Sequence, residues 1–182
     1  AEDWTVEKML DPTVTAVRQA YPEAAIWVVV RKGCEEILAG CPAVDRVLTS
    51  ATAESNKRSQ LSWWSDWRLI RLLREQTFDY AFELSDGDRG RWISYLSGAK
   101  TLCASTVSAP LSWWWRSRFT RRSAFEWQGH HRVEMDFGTV RECLPLGLEI
   151  PPLIFEKRFT KSWAEQPPLS RYAVLHPGTR WR

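Results

Sequence analysis

The 182-residue sequence predicts an α/β fold, a parallel β-sheet with helices on both faces, and three observations carry that prediction. Short apolar runs of strand length alternate with segments whose apolar residues recur every three or four positions, the signature of strand–helix–strand units. The run over 25–30 is apolar throughout and β-branched, short enough for a buried parallel strand. Composition fits a packed core, since 44% hydrophobic and 26% charged residues excludes a disordered chain. No apolar run approaches the roughly 20 residues needed to cross a bilayer, and no export signal stands at Ala1.

Taken in order, Val6, Met9, Leu10, Val14, Val17 and Tyr21 mark one face of an amphipathic helix that Pro22 closes. Residues 25–30 follow as a buried strand, then a helix over 33–39 and a short strand over 46–48. A longer helix over 59–77 leads to a strand at 80–84. The turn-rich residues 85–90 feed a helix over 91–96, which Gly98 ends ahead of a strand at 100–104. From Trp113 to Trp127 the alternation gives way to a stretch dense in Trp and Arg, and a helix over 131–146 resumes it. Prolines at 151, 152, 167 and 168 mark an extended connection, and 172–175 reads as a strand opening a new unit. The expected domains are therefore 1–150, a linker over 151–170, and the first strand of a second, truncated domain over 171–182.

Ligand sites in such sheets lie at the carboxyl ends of the strands, which directs attention to cations in the loops there. Lys57 and Arg58 follow the strand at 46–48, with binding and solvated readings equally open. Arg89 and Arg91 follow the strand at 80–84 and sit at a helix start, where exposed N–H groups also attract anions. Arg89 suits a phosphorylated ligand or an ion pair with Asp86 or Asp88. Arg116, Arg118 and Arg121 lie among Trp113, Trp114, Trp115 and Phe119. That mixture suits a phosphorylated, lipid-anchored sugar, stacked nucleic-acid bases, or a loop whose rings pack while its arginines face water. Cys34, Cys41, Cys103 and Cys143 lack metal-site spacing and read as idle thiols. The adjacent His130 and His131 lack a spaced third ligand and read as helix-start packing or hydrogen bonding. No G-x-G-x-x-G follows a strand, which disfavours a nucleotide-dependent oxidoreductase. A net charge of +3 does not by itself imply nucleic acid.

Six pieces, in order over about 165 residues, resemble the ADP-heptose:lipopolysaccharide heptosyltransferases, glycosyltransferase family 9. They are Val17 to Ala24; Cys41 to Val47; Phe78-Asp79-Tyr80; Asp86 to Gly90 with Leu96 to Lys100; His131 to Glu134 leading to Leu146-Gly147; and Val174 to Trp181. Gly87-Asp88-Arg89-Gly90 and Arg180-Trp181 lean towards the heptosyltransferase III branch.

The resemblance implies the amino-terminal, acceptor-side half of a GT-B enzyme: a Rossmann-like domain that binds the lipopolysaccharide core, with ADP-heptose held by a second domain. It implies inverting transfer with no metal and no cofactor, in the cytoplasm at the inner-membrane surface, with no nucleic-acid partner. Acceptor contacts would fall to Lys57, Arg58, Arg89, Arg91, Arg116, Arg118 and Arg121, and donor contacts to Gly178, Thr179 and Arg180. The family's Gly-Asp pair, whose Asp is the usual candidate base, falls here on Thr5-Val6 and is missing, as is the strand before it. Asp3, Glu7 and Asp11 are the nearby carboxylates. The expectation is a fragment inactive alone; the alternative is a non-catalytic module with a basic aromatic surface for a phosphorylated glycan or membrane.

Overall fold

A computed structural model describes residues 10–38, 40–50, 60–85, 87–107 and 111–152. The expected linker beyond 152 and the strand at 172–175 lie outside these. The elements run α1 (Asp11–Ala20), β1 (Trp27–Arg31), α2 (Glu35–Leu38), β2 (Arg46–Ser50), α3 (Gln60–Arg74), β3 (Tyr80–Glu83), α4 (Asp88–Leu96), β4 (Thr101–Ser105), α5 (Trp113–Arg118), β5 (Arg121–Ser123) and α6 (Arg132–Cys143). Among the described residues all strand pairing is parallel, β1 with β2 and β3–β4–β5 with β4 central. The α/β class and helices on both faces are as the sequence predicts.

Side-chain alternation sets the layers. Val28 and Val30 of β1 meet Val14 of α1 and Leu38 of α2. Trp27 and Val29 point the other way, with Leu48 and Phe78, against Leu69 and Leu73 of α3 and Ile93 of α4. In the second sheet Leu102 and Ala104 meet Trp115 and Phe119, with Tyr95 of α4 alongside. Cys103 between them faces away, its free thiol hydrogen-bonded to that of Cys143 on α6. Helices α3, α4 and α5 thus form one layer, and α1, α2 and α6 the other.

Between β1 and β3 the sheet is interrupted: among the described residues each pairs with a strand on one side only. Leu102 to Ser105 of β4, flanked on both sides, are buried, whereas Trp27 to Val29 of β1 and Tyr80 to Phe82 of β3 remain half-buried. A right-handed crossover through α1 into β1, of the same sense as β1–α2–β2, starts from a strand on the β3 side of β1, the position of this break.

The boundaries differ from expectation for local reasons. Helix α4 begins at Asp88, three residues early, because Gly87 is extended and Asp88 favours the first turn. Helix α3 stops at Arg74, and Thr77 adopts a left-handed φ of 50°. The Trp/Arg stretch read as irregular contains α5, capped by the Ser112 side chain, and the three-residue β5.

Candidate functional site

The direction of strand progression reverses between β1 and β3, and the carboxyl end of β3 lies at that switch point, where doubly wound sheets bind ligands. Glu83 ends β3 with its side chain 2% exposed. Its Oε1 accepts hydrogen bonds from Ser85 N at 2.8 Å and Ser85 Oγ at 2.6 Å. Arg91 Nε lies 3.9 Å from Glu83 Oε2, and Arg91 Nη1 donates to Asp88 Oδ1 at 3.3 Å. A buried charge is tolerable only when paired in this way. Gly90 makes the arrangement possible: a Cβ there would fall 2.4 Å from Ser85 Oγ and 2.7 Å from Glu83 Oε1. The Asp-Arg-Gly string is thus the means by which α4 starts directly over a buried carboxylate.

Arg89, one residue earlier, turns outward and donates from Nη2 to Asp66 Oδ2 on α3 at 2.5 Å. The pair stays partly open to solvent, 33% and 19% exposed. From the other helical layer Arg132 donates to Leu84 O, bonds Asp136 Oδ2 at 3.1 Å, and lies 4.8 Å over the Trp127 ring. Three arginines and four carboxylates therefore surround one strand end. Glu83, Arg91 and Asp136 are buried there, whereas Asp88 is exposed and Arg132 and the Arg89–Asp66 pair are partly so.

Among the described residues the expected acceptor contacts fall in two places. Arg89 and Arg91 stand at the carboxyl end of β3, with Arg91 committed to Glu83 and Asp88. Arg121 begins β5 at the opposite end of the sheet, stacked 5.8 Å over Tyr80 and donating to Cys143 O. Arg118, three residues before it, lies over the Tyr95 and Trp114 rings at 5.6 Å and 5.2 Å. Arg116 is exposed on α5, and its carbonyl accepts from Arg122. Two tryptophans of this stretch pack, Trp114 and Trp115 meeting the Trp92 ring at 5.3 Å and 5.0 Å, whereas Trp113 is exposed. Lys57, Arg58, Gly178, Thr179 and Arg180 lie outside the described residues, as do Asp3 and Glu7.

Asp11 is fully buried and accepts from Cys41 Sγ at 2.7 Å, which leaves it no path to a substrate hydroxyl. His131 caps α6 in a reciprocal box with Glu134, whose carboxyl is held low first by the His131 N–H and then by His130. That matches the helix-start reading of the histidine pair. Sequence reasoning missed Glu83, Asp66, Arg132 and Asp136. Glu83 carried a signal, a charge at the end of an otherwise apolar strand; Arg132 and Asp136 carried another, an i,i+4 pair.

No family model and no curated protein matches the chain. Solved structures do. A glycosyl transferase family 9 protein from Veillonella parvula aligns with TM-score 0.64 at 14% identity, over 76% of this chain and 38% of that one. The ADP-heptose lps heptosyltransferase II of E. coli aligns with TM-score 0.62 at 16% identity, over 88% and 47%. The E. coli heptosyltransferase WaaC with ADP aligns with TM-score 0.64 at 17% identity, over 81% and 46%. The fold is therefore glycosyltransferase-like, shared with family 9 heptosyltransferases, and the chain spans less than half the length of each of these structures.

Proposed function

We propose that the chain is the acceptor-binding half of a glycosyltransferase that moves heptose from ADP-heptose to a phosphorylated lipopolysaccharide core. The observation that carries this reading is the Arg/Asp network at the switch point, in a fold shared with heptosyltransferases. Arg89 and Asp66, partly exposed, address the acceptor; Glu83 and Arg91, buried behind them, fix the start of α4 so that the pair is presented in one geometry. Arg132 extends the cationic side of the site; Lys57 and Arg58 contribute to acceptor binding, and Gly178, Thr179 and Arg180 to donor binding, in a complete enzyme.

Inverting transfer needs a carboxylate to take the acceptor hydroxyl's proton and donors to stabilise the departing diphosphate. With Val6 where the family's Asp belongs and Asp11 buried against Cys41, these 182 residues bind acceptor and do not transfer sugar. The same two observations favour, as a second reading, a non-catalytic module that binds the glycan. Titrating the chain with a phosphorylated heptose-containing core oligosaccharide should shift amide signals around Ser85, Arg89 and Asp66. Shifts confined to α5 or β5, or none, would overturn the site, and heptose transfer by the chain alone would overturn the division of labour.

A further inference from the structure

Two of the buried thiols meet. Cys103, in the middle of β4, and Cys143, the last residue of α6, are each 1% exposed, both are free, and their side chains are hydrogen-bonded. The two sulfurs differ in character. The bond to Cys143, and then burial, push the Cys103 thiol up, so Cys103 keeps the shared proton. The same bond holds Cys143 below its ordinary value, against burial and the neighbouring Glu142 and with help from the Arg121 guanidinium. Arg121 stands opposite Cys103 in the β4–β5 pairing and is fixed beside the pair by donating to the Cys143 carbonyl at 2.5 Å. A thiol stabilised as thiolate, touching a second thiol and a guanidinium, is the arrangement of an attacking and a resolving cysteine. Nothing in the spacing of the four cysteines marks this pair; it exists because α6 ends against β4.

We propose that Cys103 and Cys143 form a reversible disulfide in response to hydrogen peroxide, locking the end of α6 to the central strand β4. Peroxide is small enough to reach a buried pair through local openings that exclude bulkier oxidants. The Cys143 thiolate attacks one peroxide oxygen: an S–O bond forms, the O–O bond breaks, and the departing hydroxide takes up a proton to leave as water. The Cys103 sulfur then attacks the Cys143 sulfenic acid, giving up its proton; the S–S bond forms and the S–O bond breaks, releasing a second water. Two thiols are oxidised and one peroxide is reduced. Cys143 is the final residue of its helix, with the extended Leu144 beyond it, so the sulfurs close to the roughly 2.05 Å of a disulfide by adjustment at a helix end and not inside one. The link closes the stretch that holds α5, β5 and α6, which restricts the unfolded chain and stabilises this part of the fold. The inference does not rest on the glycosyl-transfer reading.

The test is treatment of the folded chain with hydrogen peroxide, followed by unfolding in an alkylating reagent and peptide mapping. The expected product is a peptide pair joined through Cys103 and Cys143. The urea midpoint of the oxidised chain should rise by about 1–2 M and return on reduction with dithiothreitol. Single variants separate the roles: in Cys103→Ala the sulfenic acid of Cys143 lacks its resolving thiol and goes on to sulfinic acid, whereas in Cys143→Ala the Cys103 thiol stays unoxidised. Free Cys103 and Cys143 after treatment, a bridge between other cysteines in place of this one, sulfinic acid on Cys143 of the wild type, or a midpoint that stays or falls on oxidation would each overturn the proposal. The wild-type map decides the matter even if neither variant folds.

Discussion

Glu83→Ala leaves the Arg91 guanidinium, whose side chain is 8% exposed, beside an apolar strand end, with the 78%-exposed carboxylate of Asp88 3.3 Å away. Breaking a buried pair by removing one partner costs about 3–5 kcal/mol, and the Ser85 N–H and hydroxyl lose their acceptor as well. Urea denaturation measures it: with a slope of roughly 2 kcal/mol per molar, the midpoint should fall by about 1.5–2.5 M at unchanged slope. Glu83→Gln, which keeps an acceptor for Ser85 but not the charge, should lie between wild type and Glu83→Ala. Combining Glu83→Leu with Arg91→Met removes both charges, fills similar volume, and should recover most of the loss. A loss under about 1 kcal/mol for Glu83→Ala, or a double variant no better than the single, would refute the claim that this pair anchors α4.

Other consequences are measurable in the same way. Gly138→Ala would place a Cβ 2.6 Å from the Phe125 ring, so the overpacking cost of about 1–3 kcal/mol outweighs the gain of roughly 1 kcal/mol in helix propensity, whereas Gly147→Ala, with open space around it, should alter thermal stability negligibly. Asp45 is held below its ordinary pKa, chiefly by the Ile26 N–H and also by Arg18. Its folded value lies below the unfolded one, so its stabilisation is present above the unfolded value and is lost as pH falls through the folded value; the stability gap to Asp45→Asn should close at acid pH. Of the four cysteines, Cys41, Cys103 and Cys143 are buried, and Cys103 is pushed further up by its bond to the Cys143 thiol and by burial. A thiol reagent should therefore label the half-buried Cys34 first and all four only on unfolding.

Much of the fold was legible because its strands are short, apolar and bounded by turns. The runs at 25–30, 46–48, 80–84 and 100–104 became β1 to β4 with shifts of one or two residues. Helix α5 and strand β5 were not legible. Six residues of Trp, Arg and Ser give no usable period, and a strand of Arg-Arg-Ser has neither β-branching nor alternation; it exists because β4 offers it an edge. The site was half legible. Arg89 and Arg91 could be placed after a strand, but whether an arginine faces a ligand or a carboxylate depends on residues of other elements, Asp66 on α3 for one and Glu83 at the end of β3 for the other. Nor could sequence place Arg118 and Arg121 at the opposite end of the sheet, because that requires knowing that α5 runs back beneath β4 before β5 begins.

The dissociation constant for a phosphorylated heptose-containing core oligosaccharide, measured by calorimetry on wild type, Arg89→Ala and Arg118→Ala, bears most directly on where the acceptor sits. A charge-assisted hydrogen bond lost at the switch point corresponds to about 10- to 100-fold, so Arg89→Ala should weaken binding by that much while Arg118→Ala, stacked on Tyr95 and Trp114, leaves it within two-fold. The reverse order, or equal affinity in all three proteins, would contradict an acceptor site at the end of β3.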